Sequence, residues 1–154
     1  MDEKKKESRY RRLIIQIEDL LKKSPDELAA QATIASVLFN KMDYFFWCGF
    51  YRLEGQRLII GPYQGPPACQ VLEGSGVCLA SVEQQTIIVV PDVHKFPGHI
   101  ACDSRSRSEI VVPVRNKSGK ITGVIDVDSK DIGSFTEIDA LYIEKITSLL
   151  INLQ

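Results

Sequence analysis

Four cysteines are the side chains of this chain most able to do chemistry. Cys48 lies within Phe45-Phe-Trp-Cys-Gly-Phe50, a strand-like aromatic run, where a thiol behaves as a small apolar group. Cys69, Cys78 and Cys102 fall in loop-like or turn-adjacent segments, where an exposed thiol is a liability unless it is used. No C-x-x-C pair occurs to complete a zinc-finger ligand set with His94 and His99, so no metal site is expected. Cys102 sits in His99-Ile-Ala-Cys-Asp-Ser-Arg-Ser-Arg107. Cations from His99, Arg105 and Arg107 would lower its pKa and favour the nucleophilic thiolate. With both arginines turned to solvent, the same residues make an inert loop thiol. The residue types leave both readings open.

Asp126 and Asp128 stand two apart in an apolar run, so on a strand they share one face, with Ile125 and Val127 on the other. Like charges side by side are costly unless they are solvated or hold something cationic. The pair reads either as a solvent-facing edge strand or as a site for an ammonium group, a cation or a raised-pKa proton donor. Trp47 and Tyr51, four apart, also share a strand face. Core packing explains such a pair, and so does one wall of a small-ligand pocket.

The elements that must position these residues follow from periodicity. Residues 1–10 are a charge run, expected to be a frayed, solvated helix start. Leu13, Ile14, Ile17, Leu20 and Leu21 predict a first helix ending near Lys22. Ser24 as cap, Pro25 in the first turn and Glu27 as capping-box partner predict a second helix. Its inward face would be Leu28, Ala32, Ala35, Leu38 and Phe39. Strands are expected over residues 44–51, from Leu58, over 86–90, 110–114 and 121–127, with a short helix over 77–83. Residues 61–65, followed by Pro66 and Pro67, read as a loop. Residues 91–108 are a long irregular segment between strong strands, a pattern that favours function. A last helix opens at Ser134-Phe-Thr-Glu137, with Ile138, Leu141, Ile146, Leu149 and Leu150 inward. The order predicts an α+β fold: an antiparallel sheet, terminal helices on one face, and irregular crossover segments forming a pocket on the other.

At 154 residues the chain fits one domain, 1–154. Hydrophobic residues at 44% and charged residues at 25% are ordinary for a globular protein and argue against disorder. Lys plus Arg number 19 against 20 Asp plus Glu, so the basic excess of a nucleic-acid binder is missing. No apolar run is long enough to suggest a membrane span, and the N-terminus lacks a signal-peptide apolar region. A cytoplasmic, reducing location is the expectation, under which the cysteines are free, metal-bound or redox-active rather than structural bridges.

Several segments together resemble one family. They are Trp47-Cys-Gly-Phe-Tyr51, Gly61-Pro-Tyr-Gln-Gly65, Pro67-Ala-Cys69, Gly76-Val-Cys78, Pro91-Asp-Val-His94, Phe96-Pro-Gly-His-Ile-Ala-Cys-Asp103, Ser106-Arg-Ser-Glu109 and Gly123-Val-Ile-Asp-Val-Asp-Ser129. They resemble the GAF-domain free methionine-(R)-sulfoxide reductases, from about Ser24 to the final helix. The resemblance implies a GAF fold and reduction of free L-methionine-(R)-sulfoxide. It implies Cys102 as the attacking cysteine, Cys69 as the one that resolves its sulfenic acid, and Cys78 as a third thiol open to exchange. Trp47 and Tyr51 would surround the substrate methyl group. Glu109, Asp126 and Asp128 would bind or protonate the substrate, with Asp92 as a further acidic pocket residue. No bound cofactor is implied. Thioredoxin, fed by NADPH, would be the external reductant, and a homodimer would place the N-terminal helix (1–23) at its interface. The alternative is a GAF module that senses a small molecule or redox state without turnover.

Overall fold

The charged N-terminus is helical almost from its first residue in this computed structural model, which describes residues 1–99 and 102–153. Asp2 caps helix α1 (Glu3–Leu21), its side chain accepting from the Lys5 N–H at 2.9 Å. The expectation of a frayed, solvated start is corrected, because Lys6 and Tyr10 are buried. Lys6 Nζ donates to Asp139 Oδ2 at 2.7 Å and to the Ser134 carbonyl at 3.0 Å, and Tyr10 OH donates to Asp139 Oδ1 at 2.6 Å. A buried charge is tolerated when it is paired and hydrogen-bonded in this way.

Helix α2 (Glu27–Lys41) begins at Asp26 and not at Ser24. The Asp26 carboxylate accepts from the Ala29 N–H at 2.8 Å, satisfying a free donor of the first turn. The buried face is then Ala30, Ile34, Ala35 and Leu38, while Leu28, expected inward, is 64% exposed.

The strands are β1 (Trp47–Glu54), β2 (Arg57–Gln64), β3 (Val71–Leu72), β4 (Ile88–Val90), β5 (Ser108–Arg115) and β6 (Ile121–Ser129). Helix α3 (Val77–Gln84) follows β3, and a 3-10 turn (Val93–Lys95) follows β4. The sheet order is β3-β2-β1-β6-β5-β4, and neighbours pair antiparallel. Residues 61–64, expected as loop, continue β2, with Tyr63 opposite Gly49. Helix α4 (Glu137–Ser148) closes the chain behind a Thr136–Asp139 capping box. Its buried face is Tyr142, Ile143 and Ile146, and Leu141 points outward instead.

The α+β architecture matches the sequence expectation. One sheet face carries Cys48, Phe50, Ile110, Val112, Ile125 and Val127, packed against α1, α2 and α4. The other carries Trp47, Tyr51, Leu58, Val111 and Val124, covered by α3 and the irregular segments. The alternation of side chains along a strand sends neighbours to opposite faces. Cys48 therefore lies in the helix-side core while Trp47 lies on the pocket face.

Candidate active site

The three strands β1, β6 and β5 lie side by side, and their register builds the site floor. Trp47 is opposite Asp128, and Asp128 is opposite Glu109, so the three form one row across the sheet. Asp126, two residues before Asp128, sits opposite Gly49 and Val111 on the same face. The edge-strand reading of the aspartate pair is thereby corrected: β6 is central, and Asp126 and Glu109 are buried. Cys78 enters from above, in the first turn of α3, with Ser75 and Gly76 beside it on the pocket wall.

Trp47 forms an aromatic wall, stacked on Tyr51 at 6.0 Å and on Tyr63 at 5.3 Å between ring centroids. Gly49 makes room for it, since a Cβ there would come within 2.6 Å of the indole. Trp47 Nε1 donates to the Pro66 carbonyl at 3.0 Å, and Tyr51 OH donates to the Cys69 carbonyl at 2.9 Å. Both rings thus hold the loop that carries Cys69.

Cys69 and Cys102 are joined by a disulfide, with Cα atoms 5.5 Å apart. Cys78 and Cys48 are free, buried thiols on opposite sheet faces. The cations expected around Cys102 are arranged differently. Arg105 binds Asp103 through both carboxylate oxygens, at 3.0 and 2.7 Å, and lies over the Phe46 ring at 4.9 Å. That pairing pushes the Asp103 carboxyl down to about 2. Lys130 lies 4.8 Å from the same ring, so Phe46 bridges the strand ends to the Cys102 segment by two cation–π contacts. His99 lines the pocket with Cys102, and burial holds its pKa below the ordinary histidine value.

Burial drives the electrostatics of the floor. Desolvation, then the charges of Asp126 and Asp128, pushes Glu109 well above the carboxylate range. Asp128 is raised by burial and by Asp126. At Asp126 burial raises the pKa, while hydrogen bonds from Glu109 and Cys78 pull it back. Glu109 is therefore the group most strongly biased toward carrying a proton, and Asp126, raised by burial, is held back in part by those hydrogen bonds. Burial, then Asp126, also raises the Cys78 thiol, which is a neutral S–H in this setting.

The chain matches no protein-family profile. It is 46% identical over 149 residues to GAF domain-containing protein A of Dictyostelium discoideum, covering 96% of this chain and 93% of that one. It is 40% identical over 124 residues to the free methionine-R-sulfoxide reductase of Escherichia coli, covering 80% and 74%. The free methionine-R-sulfoxide reductase of Neisseria meningitidis, solved with its substrate, superposes with a TM-score of 0.91 at 38% identity, covering 99% and 90%. The chain belongs to the free methionine-R-sulfoxide reductase family.

Of the residues singled out in the sequence for this family's chemistry, Trp47, Tyr51, Cys78, Cys102, Glu109, Asp126 and Asp128 line one pocket, and Cys69 reaches it through its disulfide. Asp92 is not among the lining residues. It caps the 3-10 turn instead, accepting from the His94 N–H at 3.1 Å, a bond that lowers its pKa. Ile100 and Ala101 of the Phe96–Asp103 motif lie outside the described residues. Sequence reasoning missed Phe46, Ser75 and Ser106 as lining residues. A phenylalanine before Trp47 and two serines beside a glycine and an arginine carry no signal of that. Cys78 Sγ and oxygens of Glu109 and Asp126 lie within 4.8 Å of one another, a donor set that could accept a metal ion.

Proposed function

We propose that this chain reduces free L-methionine-(R)-sulfoxide to methionine, with Cys102 as nucleophile and Cys69 as resolving thiol. The observation that carries the reading is a disulfide between Cys69 and Cys102 at a pocket floored by three clustered carboxylates. The Cys102 thiolate attacks the sulfoxide sulfur while Glu109 gives its proton to the oxygen. The oxygen passes to Cys102 as a sulfenic acid, and methionine leaves. The Cys69 thiol condenses with the sulfenic acid, forming the disulfide and releasing that oxygen as water. Exchange with an external dithiol, thioredoxin fed by NADPH, returns both thiols.

The geometry suits a free amino acid. Trp47 and Tyr51 offer an apolar wall for the S-methyl group, and Asp126, whose buried Oδ1 has no hydrogen-bond partner among the described residues, offers a partner for the ammonium. Helix α3 has no side-chain cap, so its first N–H groups are left for the substrate carboxylate beside Gly76. A peptide-bound substrate would place a neutral amide where an ammonium should pair, leaving a buried carboxylate unmatched. In the cell we place this activity in the cytoplasm, in a homodimer of one-domain chains. The exposed Ile15 and Leu20 of α1 are the apolar side chains such an interface would cover.

The test is thioredoxin-coupled NADPH oxidation with the separated R and S forms of free methionine sulfoxide. Turnover of the R form alone, lost in Cys102→Ser, is the expected result. No turnover of either form by the reduced protein would overturn the reading and leave a non-catalytic GAF binding module.

A further inference from the structure

We propose that Cys78, Glu109 and Asp126 form a binding site for a thiophilic divalent cation of the zinc and cadmium class. The site shares the pocket floor with the proposed substrate site, uses neither sulfur of the Cys69–Cys102 disulfide, and is complete when that disulfide is formed. The three donor atoms come from a helix and two adjacent strands and lie within 4.8 Å of one another. Their residues are 4%, 5% and 6% exposed, so the donors are held away from bulk water. Within that cluster, Asp126 Oδ1 is buried with no hydrogen-bond partner among the described residues. An orphaned buried carboxylate oxygen is costly, and a cation would satisfy it.

The donor set selects the ion. One sulfur and two carboxylate oxygens suit a borderline-soft ion in a four-coordinate site, with the fourth position open to the pocket. Calcium needs six to eight oxygens, and magnesium six ligands in a strict octahedron, which this enclosed corner does not offer. Charge agrees: Asp128 adds a further carboxylate to the lining, and His99 is the one basic residue among the described lining residues. The spacing of cysteines and histidines carried no hint of this site, because two of its three ligands are carboxylates.

The test is a cobalt titration of the oxidised protein without substrate. With the disulfide formed, Cys48 and Cys78 are the remaining thiols. We expect a near-ultraviolet thiolate-to-cobalt charge-transfer band, reversed by zinc, which lies above cobalt in affinity order. Cys48→Ala keeps the band and Cys78→Ser loses it. Asp126→Asn keeps the thiol but weakens cobalt binding by at least about tenfold, the least that loss of even an outer partner costs a metal site. No band in the parent protein, or a band that survives Cys78→Ser, overturns the proposal. Unchanged cobalt affinity in Asp126→Asn overturns it too, even where Cys78→Ser fails to fold. Because no substrate is used, the outcome is independent of the coupled reductase assay.

Discussion

At the scale of single residues, three acidic side chains on one sheet face divide their tasks by environment. Glu109 is enclosed and faces two like charges, so its proton is held far into the range where a free glutamate is ionised. A group whose folded pKa is raised stabilises the fold fully below its unfolded pKa, about 4.3 for glutamate, and that contribution is lost as pH rises through the folded value. Thermal melts should therefore show stability falling from weakly acidic pH upward. Glu109→Gln should flatten that fall and stabilise the protein on the alkaline side. The same variant should cut turnover at neutral pH and remove the alkaline limb of the rate profile. A parent protein whose melting temperature climbs through the same range would contradict the assignment. Asp126 and Asp128 were legible as a pair because a strand period of two puts them on one face, whereas Glu109, on another strand, was implied only by the family resemblance. The place of Asp92 was not legible, because short-range capping of a 3-10 turn leaves no pattern distinct from a pocket acid.

At the scale of elements, the helix layer is tied together by a buried polar cluster around Asp139. Lys6, Tyr10, Tyr44 and the Thr136 N–H all donate to its carboxylate. Lys6→Met would leave a fully buried carboxylate without its cation and should cost about 3 kcal/mol in urea denaturation, the low end for breaking a buried pair. The hydroxyl and amide donors that remain keep it at that end. Lys6→Met combined with Asp139→Asn removes both charges and keeps the acceptor, so it should recover part of the loss. A double variant no more stable than the single one would assign the cost to packing. Nothing in the charge run foretold a buried lysine, since its partner lies 133 residues away. The face of α2 was misread because apolar residues surround much of this helix, so spacing alone fits more than one inward stripe; Ala35 and Leu38 belong to both the expected and the observed one. Leu28, expected inward, is exposed, and Ile34 is buried instead.

At the scale of the whole molecule, one covalent link joins the segments on either side of the pocket. The bridged cysteines stand 33 apart in sequence, and closing a loop of that length restricts the unfolded chain by about 3–4 kcal/mol. Urea melts with and without a reducing agent should differ by up to this amount, with the oxidised form the more stable. Equal midpoints would mean that forming the bond strains the fold by as much as it restricts the unfolded state. The antiparallel sheet with its helical and irregular faces followed from element order alone. The pairing of Cys69 with Cys102 did not follow from element order, since four cysteines allow several partners; the family resemblance implied it, and the folded crossover brings the two together.

Trp47 is the chain's one tryptophan, and its indole shares the pocket wall with Cys102. Light absorbed at the red edge of the protein spectrum is therefore taken up at the active site and nowhere else. A disulfide draws electrons from an excited indole and dims it, whereas two thiols quench it less. The oxidised chain should glow faintly, brighten when its bridge opens, and darken again as substrate is consumed. Each chemical cycle can thus be followed as an optical one, without a dye or a coupled reaction.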